Sequence, residues 1–290
     1  MKAIATINFK GGVGKTTITW LLAKFAAEKK GKKVLVVDTD AQMSLTLAVQ
    51  LQENGSLYGD FENWYEENHK KRSKTLLDAL DKYENPKNGN FFDFPIDRSF
   101  IYPMSENLHF IPSTVELYWL ELDMFDREKA KSFISALLGK IEHSHSFKYD
   151  YIFFDCPPNF TALSYSVLCC SSLLLIPVNP DVFASRGIKL MLDGLKYRIQ
   201  PWPNPKIAVF MNKAKLYSGS LTRETSRYWE ESKKVCNEKR NESCDIYALD
   251  SYIPDRVDIK RAIPRTRFPE EFSNYFDSLF VEIESVLGVM

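Results

Sequence analysis

Residues 10–17 read Lys10-Gly11-Gly12-Val13-Gly14-Lys15-Thr16-Thr17, between an apolar run at Ala3–Phe9 and a helical pattern at Lys15–Lys30. Closely spaced glycines let the backbone curl until several N–H groups point at one spot. A helix that begins there adds the positive end of its dipole. The stretch therefore predicts a phosphate-binding loop, in which Lys15 contacts the β- and γ-phosphates of a nucleotide and Thr16 binds Mg²⁺.

Short apolar runs alternate with helical patterns along the rest of the chain, which predicts an α/β fold, a mostly parallel twisted sheet flanked by helices. The predicted strands are Ala3–Phe9, Lys33–Val37, Tyr151–Phe154, Leu173–Val178 and Ile207–Met211, and the predicted helices Lys15–Lys30, Arg127–Glu142, Ser164–Ser171, Gly187–Ile199 and Thr222–Lys239. Polar stretches at about 52–106 and 217–246 interrupt the alternation, and neither has enough apolar residues for its own core. We therefore predict one domain over residues 1–290 with two insertions.

Carboxylates follow two of the predicted strands. Asp38 and Asp40 come after Lys33–Val37, and Asp155 follows Tyr151–Phe154 directly. Ligands of parallel α/β sheets bind beyond the carboxyl ends of the strands. Neighbouring carboxylates there repel each other unless a cation or a polarised water shares the site. We expect Asp155 to hold Mg²⁺ through a water, whereas Asp38 and Asp40 could also simply cap a helix that follows their strand.

The loop departs from the common G-x-x-x-x-G-K-[ST] pattern, because Phe9 stands where the first glycine belongs and Lys10 opens the motif. In this form it resembles the deviant Walker A box of the ParA/MinD group of P-loop NTPases. Further stretches are similar to motifs of that group: Asp38–Gln42 with Ala41 in place of a proline, Asp155–Pro158, Asn107–Ser113, Met211–Lys213 and Ile253–Val257. The resemblance spans both ends of the chain and most of its middle.

The resemblance implies a Mg²⁺-dependent ATPase that dimerises on ATP. Lys10 would reach the phosphates bound by the other subunit, Asp40 would orient the attacking water, and Asp38 would lie close to the Mg²⁺ shell. Asn212 would contact the adenine, with Pro254 and Asp255 packing over the nucleotide. The implied cofactor site comprises Gly11, Gly12, Val13, Gly14, Lys15, Thr16, Thr17, Asn212, Pro254 and Asp255, and the implied metal ligands are Thr16, Asp38 and Asp155.

The chain is most similar to the short ParA type, because nothing precedes its first predicted strand. That type binds non-specific double-stranded DNA through a basic face of the ATP dimer. The candidate DNA contacts are Arg256, Lys260, Arg261, Arg265 and Arg267, which Lys189, Lys196 and Arg198 could extend. A charge run is often only a solvated face, so both interpretations stay open.

A nucleoid-associated, cytoplasmic protein of this type would work with a ParB-like adaptor on a plasmid or chromosome, or with a McdB-like adaptor on a carboxysome, as in the McdA branch. A MinD-like membrane ATPase is the alternative. It is disfavoured because residues 270–290 contain five acidic residues and no lysine or arginine, whereas membrane-binding helices of that class have a basic polar face.

Composition excludes other classes. Lysine plus arginine equals aspartate plus glutamate at 38 each, so any polyanion partner must bind a local patch. The five cysteines form no CxxC pair, which argues against a zinc site, an iron–sulfur cluster and a disulfide framework. No run of apolar residues is long enough for a leader or a membrane span, so we expect a reduced, cytoplasmic protein.

Overall fold

A central sheet organises the chain in the computed structural model, which describes residues 1–50, 62–63, 65–66, 74–84, 100–118, 127–144, 148–200, 202–242 and 245–289. Its strands are β1 (Lys2–Thr6), β2 (Val34–Asp38), β3 (Tyr102–Pro103), β4 (Leu108–Ile111), β5 (Tyr151–Asp155), β6 (Leu173–Val178), β7 (Lys206–Ala214) and β10 (Ile246–Pro254). Their order across the sheet is β10-β7-β6-β1-β5-β2-β4-β3. All neighbours are parallel except β3 and β4, which confirms the predicted fold class.

Helices cover both faces of the sheet. Those of the described residues are α1 (Lys15–Lys30), α2 (Ser44–Gln50), α3 (Leu76–Glu84), α4 (Arg127–His143), α5 (Ala162–Cys170), α6 (Ala184–Arg198), α7 (Arg223–Asn241), α8 (Val257–Arg261) and α9 (Ser273–Leu287). A small hairpin of β8 (Leu216–Tyr217) and β9 (Ser220–Leu221) precedes α7.

Two hydrophobic clusters lie on opposite faces of the sheet, and β2 contributes to both. Leu35 and Val37 join the cluster that includes α3 to α7, whereas Val34 and Val36 join the cluster that includes α1, α2, α8 and α9. All four side chains are fully buried, as expected for a central strand of a parallel sheet that helices cover on both sides.

The register of the central strands positions the carboxylates. β5 pairs with both β1 and β2, and in the second pair Asp38 lies directly opposite Asp155. Because parallel strands end at the same edge of a sheet, these aspartates meet beside the loop that follows β1. The expected convergence of the motifs therefore follows from topology alone.

Parts of the two stretches predicted to be insertions pack on the common core. Leu76, Leu80 and Tyr83 of α3 are buried in the larger cluster, and so are Trp229 and Cys236 of α7. Most of 52–106 lies outside the described residues, and whether either stretch is an insertion stays a prediction. The sequence interpretation did not predict the helices α2, α3, α8 and α9 or the strands β3, β8, β9 and β10.

Candidate functional site

The loop after β1 forms one wall of a cavity of about 320 Å³. Gly12 and Gly14 adopt left-handed backbone angles, with φ of 72° and 92°. Gly14 also lies so close to Asn212 that an added Cβ would meet the amide nitrogen at 2.4 Å. Only glycine satisfies both constraints. The cavity is lined by Gly11, Gly12, Gly14, Lys15, Thr16, Thr17, Asp40, Gln42, Ser44, Pro158, Lys213 and Lys260.

Lys15 is the first residue of α1, and its side chain is largely buried at the cavity wall. The ammonium donates a hydrogen bond of 3.1 Å to the carbonyl of Asn8. Burial lowers the pKa of Lys15, while the nearby Asp155 and Asp40 carboxylates oppose that shift. The cation thus stands between the glycine loop and the acidic groups, as contact with nucleotide phosphates requires.

Asp155 is 1% exposed, and neither of its carboxylate oxygens has a hydrogen-bond partner among the described residues. Burial and the neighbouring Asp38 raise its pKa well above the usual range, whereas the Thr16 hydroxyl, which is near but outside hydrogen-bonding geometry, and Lys15 lower it. A buried, unpartnered carboxylate is costly and calls for an explanation such as an ion.

These surroundings fit Mg²⁺. The ion takes oxygen ligands and usually combines one or two protein groups with waters and substrate phosphates. Thr16 lines the cavity, and Asp155 has free acceptor oxygens close to it. Thr16 would bind the ion directly, and Asp155 would hold it through a water.

Asp38 is positioned differently from Asp155, because its oxygens are already engaged. One accepts a hydrogen bond from the backbone of Asp40 at 3.0 Å, and the other accepts two from Thr46, at 2.9 Å from its backbone N–H and 2.7 Å from its hydroxyl. Burial nevertheless raises its pKa to about 7. The structure places Asp38 opposite Asp155, with less free acceptor capacity than that residue.

Asp40 lines the cavity itself. One carboxylate oxygen accepts a hydrogen bond of 2.9 Å from the backbone of Gln42, and the Ser113 hydroxyl donates to the Asp40 carbonyl at 2.8 Å. Burial raises the pKa of Asp40, and Lys15 opposes the shift. A carboxylate held in this way, facing the cavity, can orient a water.

A groove adjoins the phosphate cavity and contains the residues expected around the base. It is lined by Gly14, Thr17, Asn212, Lys213, Pro254, Asp255, Arg256, Ile259 and Lys260. The Asn212 amide donates a hydrogen bond of 2.6 Å to the carbonyl of Val13. Asn212 therefore braces the loop in this structure, and its contact with adenine stays a prediction.

Lys10 lies outside the cavity lining, with its side chain 48% exposed. Its ammonium pairs with Asp181 at 2.5 Å and lies 5.9 Å from the centre of the Phe183 ring. An exposed position is compatible with the predicted reach to another subunit.

The candidate DNA-binding cations divide into different environments. Arg256 and Arg265 form ion pairs with Asp258 and Glu271, at 3.3 and 2.7 Å. Lys260 lines the phosphate cavity. Arg261 and Arg267 are exposed, and the described residues provide no ion-pair partner for either. Of the possible extensions on α6, Lys196 donates to the Glu242 carbonyl at 3.1 Å, Lys189 is exposed, and Arg198 lies 5.9 Å from the Tyr197 ring centre.

Sequence reasoning missed Lys213 as a cavity residue, and it assigned Lys260 to DNA alone. Lys213 directly follows Asn212, which was the available signal for its position. Nothing in the sequence pattern of residues 256–267 distinguishes Lys260 from its neighbours, because its position at the cavity depends on how α8 packs. The supporting contacts of Thr46 and Ser113 were likewise not foreseen.

Cys156 belongs to the hydrophobic core rather than to a cysteine cluster. It is 1% exposed, and burial raises the pKa of its thiol to about 12. Cys244 lies outside the described residues. Within the described ranges, no helix is both long enough and apolar enough to cross a membrane.

Comparison with known proteins identifies relatives. Residues 1–209 match the AAA_31 family, described as an AAA domain. The chromosome-partitioning ATPase Soj of Treponema pallidum is 26% identical over 208 residues, 72% of this chain and 68% of Soj. The sporulation initiation inhibitor Soj of Bacillus subtilis is 28% identical over 195 residues, 67% of this chain and 65% of that protein. Against an uncharacterised Mycobacterium tuberculosis relative, 27% identical, the match spans only 56% of that protein.

Solved structures share the fold. An ATP complex of McdA from Cyanothece superposes with a TM-score of 0.73 at 20% identity, covering 100% of this chain and 97% of McdA. An AMPPNP-bound plasmid partition protein from Borrelia burgdorferi gives 0.66 at 21% identity, with 98% and 99% coverage. The match over residues 1–209 shows that the chain belongs to the AAA_31 family, and residues 10–17 together with the Soj relatives show that it belongs to the ParA/MinD-type deviant Walker A ATPases.

Proposed function

We propose that the protein is a Mg²⁺-dependent ATPase that dimerises on ATP, binds non-specific DNA and positions or segregates a cargo. The observation that carries the proposal is that Lys15, at the glycine loop, lies near the buried Asp155, whose carboxylate has no hydrogen-bond partner among the described residues. A nucleoside triphosphate with its metal needs a cation beside its phosphates and an acceptor for a metal-bound water on the opposite side.

Phosphoryl transfer requires positioning and charge stabilisation more than covalent chemistry. Lys15 and the loop N–H groups would hold the phosphates, and Asp40 would orient the attacking water from its place in the cavity lining. Mg²⁺ would neutralise charge on the phosphate oxygens. Lys10, exposed and outside the lining, would complete the site of a second subunit across the dimer interface.

The names of the relatives support a role in partition. The T. pallidum relative is named as chromosome-partitioning, and the Borrelia structure is of a plasmid partition protein. Exposed Arg261 and Arg267 offer a starting surface for DNA phosphates. A ParB-like or McdB-like adaptor on the cargo would stimulate hydrolysis, and the protein would then be cytoplasmic and associated with the nucleoid.

Sedimentation of the wild-type protein with ATP, with ADP and without nucleotide tests the proposal. We expect monomer without nucleotide and dimer with ATP and Mg²⁺. Asp40→Ala should bind ATP but hydrolyse it slowly, and so accumulate as dimer, whereas Lys10→Ala should bind ATP and remain monomeric. Wild-type and Asp40→Ala proteins that both stay monomeric at saturating ATP would contradict the proposal.

A further inference from the structure

Two lysines outside the glycine loop meet at the junction of the phosphate cavity and the adjoining groove. Lys213 lies at the end of β7, and Lys260 lies on α8. Both line the cavity and the groove, together with Gly14 and Thr17. The junction adjoins the loop on the side of the groove expected to hold the base. A nucleotide would place there the α- and β-phosphates, which ATP and ADP share.

Lys213 has an unusual backbone conformation that fixes its direction. Its φ is 56°, in the left-handed region that residues other than glycine rarely adopt. Such a conformation is energetically costly and is often found at ligand sites. The Lys213 ammonium donates a hydrogen bond to the carbonyl of Gly12, so the side chain lies against the loop.

The charges around this junction are mostly of one sign. The pKa of Lys213 is lowered by burial first, and then by Lys260 and Lys10, while Asp255 alone opposes the shift. Within the described ranges, no carboxylate forms an ion pair with Lys213 or Lys260. Like charges that converge on a cavity repel each other unless an anion lies between them.

We propose that Lys213 and Lys260 contact the α- and β-phosphates of the bound nucleotide, and that Lys260 thereby links α8 to the nucleotide. The proposal rests on the nucleotide site described above and adds two residues that its motifs do not include. It also assigns different roles to residues of the basic segment 256–267: Lys260 faces the nucleotide, and Arg261, the next residue, faces solvent. Because Ile259 anchors α8 in the core, holding Lys260 would also order the exposed arginine beside it.

Nucleotide affinity of matched variants tests the phosphate contact. Lys260→Met should bind both ATP and ADP about tenfold more weakly than the wild-type protein, because one charge-assisted contact common to the two ligands is lost. Lys260→Arg should keep most of the affinity. Arg261→Met removes the same charge from the same helix without touching the cavity, so its affinity should stay within about twofold of wild type.

Amide hydrogen exchange tests the link to α8. Adding ADP should slow exchange in residues 257–261 of the wild-type protein and of Arg261→Met, but not of Lys260→Met. Equal ADP affinity of Lys260→Met and wild type would overturn the contact, and exchange that ADP leaves unchanged in the wild type would overturn the link. In both cases the proposed function survives. A wild-type protein that binds neither nucleotide would overturn the proposed function together with this inference.

Discussion

Asp155 is the single residue that most directly indicates a bound ion. Its carboxylate is buried without a hydrogen-bond partner among the described residues, and burial together with Asp38 raises its pKa. A raised pKa in the folded state means that the folded protein binds this proton more tightly than the unfolded chain does. The associated stability is therefore present at low pH and is lost as pH rises through the folded-state pKa.

We predict that, without nucleotide, the wild-type protein loses stability relative to Asp155→Asn as pH rises from about 5 to about 8. The variant has no charge to desolvate at this position, and each pKa unit corresponds to about 1.4 kcal/mol. Asp38, whose pKa is raised to about 7, acts in the same direction in both proteins. Urea unfolding at the two pH values measures the difference in the free energy of unfolding. Parallel pH profiles of the two proteins would show that folding does not raise the pKa of Asp155.

Lys15 is the residue on which nucleotide binding depends most. Lys15→Met should weaken ATP binding by about 100-fold, because a charge-assisted contact in a partly buried site is lost. Lys234→Met, an exposed lysine on α7, serves as the control and should bind ATP as the wild type does. Titration with a fluorescent ATP analogue measures both. Equal affinities of the two variants would remove the P-loop assignment.

At the scale of elements, the turn from β1 into α1 depends on Gly14. Gly14→Ala should destabilise the protein by about 1–3 kcal/mol and impair ATP binding, since a φ of 92° and the contact with Asn212 exclude a Cβ. Gly139→Ala, in the interior of α4 where nothing lies within 4 Å, should instead stabilise it by about 0.5–1 kcal/mol. Urea unfolding compares the two variants, and equal effects would refute the strain argument.

Local signals determine how well each element could be predicted. Helix α1 was predicted with its observed bounds, because the glycine loop marks its start and Gly31, with a φ of 62°, ends it. Strand β6 also matched, since an unbroken apolar run between polar residues defines it. Strand β10 was missed because register shifts and partly exposed positions at the sheet edge blur its alternation. Helix α3 was missed within a stretch that polar residues and prolines dominate.

The same reasoning explains what could be predicted of the site. Motifs in sequence specified the residues at the ends of β1, β2 and β5, because parallel strands bring those ends together. Lys213 and Lys260 could not be assigned to the cavity in this way. Their places depend on a left-handed residue at the end of β7 and on the packing of α8. The position of Lys213 directly after Asn212 was a sequence signal for the first, but no sequence pattern marks Lys260.

At the scale of the whole molecule, the C-terminal helix belongs to the core. Phe276, Phe280 and Ile283 of α9 are fully buried in the cluster that includes α1. Its apolar face is therefore occupied, which adds to the acidic composition as an argument against the MinD-like alternative. The basic segment ahead of it is also fixed to α1, since Trp20 donates a hydrogen bond of 3.0 Å to Ile263 and Lys24 donates to Arg265.

A charge reversal on this segment separates DNA binding from nucleotide binding. Arg261→Glu should weaken retention of duplex DNA and reduce the salt dependence of binding by about one phosphate contact, while ATP affinity stays within about twofold of wild type. Lys234→Glu makes the same charge change on α7 and should retain DNA normally. Gel-shift titration measures both, and unchanged retention by Arg261→Glu would exclude Arg261 from the DNA-binding surface.

A gel shift of the wild-type protein measures whether ATP controls its binding to DNA. Non-specific duplex DNA is titrated with ATP and Mg²⁺, with ADP and without nucleotide, at about 50 and about 200 mM salt. We predict retention only with ATP, falling steeply at the higher salt, as expected for phosphate contacts made by an assembled dimer. Retention that is equal in all three nucleotide states, or absent although ATP binds and dimerises the protein, would contradict the account.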